Sequence, residues 1–306
     1  MLNDVQKHIL EIVADMKGIP DGAVNIRSDG KKAFRQNSKN IEITSKTDKD
    51  GIDIRIAPFT KSENVHIPVI LSKSGFHDLV YNDFFVGEGA DVTIVAGCGI
   101  HNCGDQKAQH DGIHTFYLAR GARVRYVEKH YADGDGSGER VLNPVTVVRL
   151  EDDSYMEMET TQIGGVDSTI RRTEATLGDR ATLIIREKIM TAGKQTAETH
   201  FTVDLDGVGS GTHVISRSVA RDSSHQLFCS QINGNNACTG HTECDAILMD
   251  HGSVSAVPEI SANHVDASLI HEAAIGKIAG EQLVKLMTLG LTEKEAEEQI
   301  IAGFMK

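Results

Sequence analysis

At 306 residues the chain is long enough for one large domain or two medium ones, and 40% hydrophobic residues suffice for a packed core. With no Trp, five Tyr and nine Phe the core must be mainly aliphatic, which argues against base stacking on aromatic platforms. A net charge of −13 without any dense Lys/Arg run argues against binding to a phosphate backbone.

The N-terminal stretch places Val5, Ile9, Ile12, Val13 and Met16 on one stripe and predicts an amphipathic helix. It lacks the basic start and unbroken apolar run of a secretory leader, and no apolar run reaches the roughly 18 residues of a membrane span. The expected location is cytoplasmic. Five cysteines, at 98, 103, 229, 238 and 244, are an odd number and too few for a disulfide framework, which turns attention to metal or sulfur chemistry.

From residue 86 a motif recurs: an apolar residue, three turn residues, a small residue, then alternating apolar positions. It runs Val86 to Ile94, Leu118 to Tyr126, Leu150 to Met158 and Leu177 to Ile185, at steps of 32, 32 and 27, with degraded copies expected at Val219 to His225 and Met249 to Ser255. Period-2 alternation marks strands with one face buried. A unit that cannot bury its face alone must stack on its neighbours. The expected fold is mainly β: a right-handed parallel β-helix with short N-terminal and C-terminal helical segments, an ordinary sandwich being the alternative. The expected division is a lead-in over 1–75, a β-helix core over 76–270 and a C-terminal helical segment over 271–306.

Between the first two copies lies "CGIHNCGDQKAQHDGIH", which gathers Cys98, His101, Cys103, His110 and His114 in a Gly-rich stretch read as a loop. Its spacing is not that of a zinc ribbon, but it is a candidate second metal site. The Gly-rich runs "GSGERV" and "GVGSGTH" lack the Lys-Ser/Thr of a P-loop, and "HEAAI" fails the zincin pattern because position 275 is Ile.

The densest chemistry lies at 238–282. Glu243 and Asp245 flank Cys244 and should raise its thiol pKa, so a bare nucleophile is poorly supported and metal ligation fits better. His271 and Glu272 follow about one repeat later, which would set them on a coil near Cys244. A thiolate, an imidazole and a carboxylate suit iron or a labile cluster. Beyond them "KIAGEQLVKLMTLG" predicts a helix carrying Leu283, Leu286 and Met287. Thr292 to Glu295 then reads as a capping box opening a last helix with Ile300.

The segments "ISRSVARDSS", "GHTECDAILMD" and "HEAAIGKIAGEQLVKLMTLGLTEKEAEEQIIAGF" resemble the core domain of the SufB/SufD family of iron–sulfur cluster assembly proteins, in its short form. That resemblance implies a β-helix scaffold that pairs with a second copy, here as a homodimer, and docks a SufC-type ABC ATPase through its C-terminal helices. Leu283, Leu286, Met287 and Ile300 would then be partner-binding residues. It implies a transient iron–sulfur cluster on a non-catalytic chain, with ATP hydrolysed by the partner. Cys244-Asp245 matches the family's sulfur-accepting Cys-Asp strand. His271 and Glu272 match the last two positions of its Glu-His-Glu motif, whose first position is Ile270 here. In a homodimer the site could combine Cys244 and Glu272 of one protomer with His271 of the other. The competing expectation is a β-helix metalloenzyme, a hydrolase or lyase, using the Cys98 to His114 residues.

Overall fold

The corner motif is the repeating joint of the structure, a computed structural model that describes residues 2–306. At each corner the small residue is buried and its N–H donates to the carbonyl three residues back: Ala90 to Gly87 at 3.1 Å, Ala122 to Ala119 at 3.0 Å, Ala181 to Gly178 at 3.2 Å. The residue just before it is left-handed, with φ of 61° at Gly89, 65° at Gly121, 60° at Asp153 and 54° at Arg180. Glycine takes that conformation without cost and Asp tolerates it, which explains the turn composition of the motif. Successive corners also bond to one another, as in Gly89 N–H to Arg120 O and Gly121 N–H to Asp152 O, both at 3.0 Å.

After every corner a strand runs with its side chains alternately in and out, so that Thr182–Thr191 alternates half-buried and buried for all ten residues. The strands divide between two ten-stranded sheets, and each coil contributes to both before the chain climbs to the next. Pairing between coils is parallel: Asp91 faces Arg123, Arg123 faces Tyr155, Tyr155 faces Thr182, and Gly211 faces Thr239. The result is a parallel β-solenoid of about eight turns, with short helices at both termini. Its apolar core is mainly aliphatic, with Phe84 and Phe116 stacked at 4.3 Å near the N-terminal end, and buried polar side chains share the interior.

The two degraded copies belong elsewhere. Residues 219–225 and 249–255 form the opposite corner, where Ser224 N–H donates to Arg221 O and Gly252 N–H to Met249 O. The true continuation of the motif runs through Leu205 to Ser210 and Gly234 to Cys238, with Ser210 and Cys238 in the buried corner position. The pattern breaks for other reasons: Ser210 stands five residues after Leu205 instead of four, and Gly234 and Cys238 replace the apolar and Ala/Ser positions of the following copy.

At the N-terminal end two antiparallel hairpins extend the sheets, Ala23–Ser28 with Lys31–Gln36 on one and Ile41–Ser45 with Gly51–Ile56 on the other. Helix α1 (Asp4–Ala14), opened by an Asn3–Gln6 capping box, lies on the outside of strand Asp91–His101. It buries Ile9, Leu10, Val13 and Ala14, while Val5 of the expected stripe stays 39% exposed. Gly97 and Gly99 create the seat: a Cβ on Gly97 would stand 2.2 Å from the Val13 carbonyl oxygen. At the other end strand Ser268–Gly276 is followed by α2 (Gly280–Met287) and α3 (Glu293–Phe304). The Thr292–Glu295 capping box opens α3 as its sequence predicts. Helix α3 buries Ala296 and Ile301, whereas α2 has no buried residue. No helix among the described residues is long and apolar enough to cross a membrane.

Candidate functional site

Strand Thr239–Leu248 alternates, so Gly240, Thr242, Cys244 and Ala246 face the interior while His241, Glu243 and Asp245 face out. Cys244 is 1% exposed and packs in the main core, flanked in register by Ser216 and Ala273. Burial, with Glu187 and Asp245 adding negative potential, pushes its thiol up to about 12. At neutral pH it is a protonated thiol unless a metal ion displaces the proton.

The next coil carries His271 opposite Thr242 and Glu272 opposite Glu243. His271 therefore shares the inward face with Cys244, one coil on and two residues away along the strand. It is half-buried, its Nδ1 has no hydrogen-bond partner among the described residues, and burial lowers its pKa. Glu272 points to the opposite face. There its Oε2 lies 3.4 Å from His241 Nε2, and His241 stacks on His213 with ring centroids 4.7 Å apart. Consecutive residues on a strand cannot share a face, so Cys244 and His271 both face inward, two residues apart in register, and Glu272 stands outside with the two outer histidines. Burial, then Asp245, raises the Glu243 carboxyl on that outer face.

Alternation also reorganises the Cys98 to His114 group. Most of it is strand rather than loop: Asp91–His101 and Ala108–Leu118 carry Cys98, His110 and His114 into the interior. They meet Glu128 and His130 around a cavity of about 10 Å³, on the scale of a single water, with the buried Asp78 and Arg171 behind them. Gly112 keeps that space open, since a Cβ there would lie 3.1 Å from His110 Nε2. Most of the polar groups are paired with one another; the exception is His110 Nδ1, which lies 3.2 Å from Asp78 Oδ2 without a hydrogen bond of good geometry. His114 Nδ1 pairs with Tyr126 Oη at 2.8 Å and its Nε2 with Asn82 at 3.2 Å. Tyr126 donates to Glu128 at 2.9 Å, and Arg171 donates to Glu128 at 2.5 Å and to His130 at 3.1 Å. Arg27 clamps Asp78 with one guanidinium edge, Nε and Nη2 donating at 2.7 to 3.2 Å.

Glu128, His130, Arg171 and Glu187 escaped the sequence reading, although the same alternation held the signal. In "VRYVEKHYAD" Glu128 and His130 fall on the inward parity of Val124 and Tyr126. A charged residue at an inward position of a solenoid strand marks a buried network.

This network makes stability pH-dependent. Burial depresses His114 from 6.5 to about 4 and also lowers His130. As pH falls below about 6.5 the unfolded chain binds protons that the native state refuses until about 4. Stability is therefore expected to fall across that window by about 3 kcal/mol from His114 alone, at 1.36 kcal/mol per pKa unit. Urea midpoints at pH 7, 5.5 and 4.5 check this, and His114→Gln should flatten the slope.

The other two residues of the group lie outside. His101 Nδ1 pairs with Asp133 Oδ1 at 2.6 Å, its Nε2 sits 3.0 Å from Cys103 Sγ, and Cys103 is exposed. Asp135 raises the Cys103 thiol. In native alkylation followed by peptide mass spectrometry, Cys103 is expected to react first, with Cys98, Cys238 and Cys244 protected until unfolding. Asp135→Asn should speed the Cys103 reaction.

The family model of the SufBD core domain of SUF system FeS cluster assembly matches residues 79–304. The chain is 28% identical to an iron-sulfur cluster assembly SufBD family protein of Methanothermobacter thermautotrophicus over 230 residues, 74% of this chain and 54% of that relative. It is 27% identical over 263 residues to one from Archaeoglobus fulgidus (85% and 69%) and 25% over 294 residues to one from Pyrococcus horikoshii (90% and 85%). It thus spans about half the length of the Methanothermobacter protein but most of the Pyrococcus one. A solenoid whose last coils bear the Cys-Asp strand and the His-Glu pair, matched by that model from the second sheet's strand at 79 to the end of α3, belongs to the SufBD family.

Proposed function

We propose that this chain is a scaffold on which iron and sulfide are assembled into a cluster and then released, acting as a homodimer with a SufC-type ABC ATPase. Family membership over residues 79–304 is the observation that carries the reading. The cluster is cargo, bound first by Cys244 and His271 at the C-terminal end of the solenoid. Three features support this assignment. Cys244 and His271 face the same interior on adjacent coils. His271 has an unpartnered Nδ1. The last coil is only half-covered, with Val257, Ile260 and Ile270 38–54% exposed on strands that end their sheets.

Such an open, apolar edge is where a second copy would add, since unpaired strand edges left exposed invite pairing. The ATPase is assigned to α2 and α3. Helix α2 lies on the surface with Met287 42% exposed and Leu283 and Leu286 half-covered, an amphipathic face suited to a partner groove. Nucleotide-driven movement of these helices would loosen the terminal coil, giving iron and sulfide access to a thiol that is otherwise sealed. The chain itself then needs no P-loop.

The test is anaerobic co-purification with the ATPase. The expected product is a complex that contains iron and acid-labile sulfide. Met287→Asp should abolish ATPase capture while leaving the circular dichroism of the solenoid unchanged. A complex with neither iron nor sulfide would contradict the scaffold role, and undiminished capture by the variant would contradict the docking site.

A further inference from the structure

Between the two N-terminal hairpins, far along the solenoid from Cys244, lies a cavity of about 190 Å³. Five basic side chains ring it: Arg27, Lys32, Arg35, Lys46 and Lys49. That is a marked concentration in a chain whose net charge is −13. Two of the five are neutralised. Arg27 is held by Asp78 at 2.7 Å, with Asp50 at the rim 3.6 Å away, and Lys46 is held by Asp53 and by Asp83 at 2.7 Å.

The other three have no carboxylate within 4 Å among the described residues. Lys32 and Lys49 stand at the exposed rim, Lys49 with its ammonium 4.3 Å over the Tyr81 ring. Arg35 is half-buried and is oriented by two neutral acceptors, Asn25 Oδ1 at 2.9 Å and Ser45 Oγ at 3.0 Å. Burial lowers its pKa, the signature of a cation taken from water without a counter-charge. A partly buried guanidinium costs free energy unless something anionic meets it. Register explains the convergence: Asn25 pairs with Arg35 and Arg27 with Lys32 across one hairpin, while Lys46 and Lys49 come from the turn of the other. The floor is apolar, formed by Ile67, Val69 and Val80, with the buried amide of Asn82.

We propose that this cavity binds a compact organic oxyanion carrying two or three carboxylate or phosphate groups. Three unpaired cations around one space call for more than one negative group, and the apolar floor favours a carbon skeleton over a bare inorganic ion. Arg35, fixed in place, supplies the planar fork that carboxylate and phosphate oxygens both fit.

Isothermal titration of the 306-residue chain with citrate and with fructose 1,6-bisphosphate, at ionic strength matched by sodium chloride, tests this. At least one is expected to bind with a sub-millimolar Kd, and a preference for citrate would identify the carboxylate class and for the bisphosphate the phosphate class. Lys32→Ala with Lys49→Ala, at exposed positions that leave the fold intact, should weaken binding on the order of tenfold per cation removed. Arg35→Gln should weaken it further. Lys61→Ala with Lys107→Ala removes the same charge elsewhere and should change nothing. Heats that follow ionic strength alone, or equal affinity in the Lys32/Lys49 variant and the Lys61/Lys107 control, would overturn the proposal.

Discussion

Arg171→Leu is expected to cost this protein on the order of 3–5 kcal/mol of stability, the usual penalty for removing one partner of a buried ion pair. Arg171 is 3% exposed and donates to Glu128 at 2.5 Å and to His130 at 3.1 Å, while its Nε lies 3.5 Å from Glu187. Without it two carboxyl groups stand in the solenoid interior with no cation between them. Burial alone would raise the Glu128 carboxyl, but His130 and Arg171 hold it well below the ordinary range. Burial already raises Glu187 despite Arg171 and despite donation from Ser216 at 2.9 Å and Thr199 at 3.0 Å. The variant would be expected to protonate both acids, and Glu128→Gln in the Arg171→Leu background should recover part of the loss because the two sites share one network. Urea denaturation of the two single variants and the double variant measures the coupling. A loss below about 1 kcal/mol for Arg171→Leu would show that the network is not a single unit.

The same network shows how far the sequence could be read. Corners were legible because Ala90, Ala122, Ser154 and Ala181 sit at fixed distances from a left-handed turn residue, and strands because their apolar residues alternate. The capping box of α3 was legible for the same local reason. What failed depended on contacts between coils. Cys98 and His114 read as loop ligands because glycines surround them, yet Gly97 and Gly99 seat α1 and Gly112 opens space for an imidazole. The corner copies of the last third are hidden because Ser210 follows Leu205 by five residues instead of four, and because Gly234 and Cys238 replace the apolar and Ala/Ser positions. His271 and Glu272 were expected near Cys244, and the register does put them on the next coil. Only the parity of the strand, which the sequence also carried, separates the two onto opposite faces.

Cys244→Ser should produce the other large effect, and it bears on the central assignment. Cys244 is the one thiol that shares an interior face with His271 on the terminal coils, whereas Cys238 sits at the corner and Cys98 lies at the other end of the solenoid. With its thiol at about 12, iron must displace a proton to bind there, so cluster uptake should rise with pH. Serine is nearly isosteric and preserves the packing, which separates loss of the ligand from loss of the fold.

The most direct measurement is anaerobic reconstitution of wild type and Cys244→Ser, each in complex with the ATPase and supplied with ATP, ferrous iron and sulfide, read by Mössbauer spectroscopy and by sulfide-to-iron absorbance. The predicted result is a cluster on the wild type and loss of most of that signal in the folded variant, with a smaller loss in His271→Ala. Full cluster signal in folded Cys244→Ser would contradict the assignment.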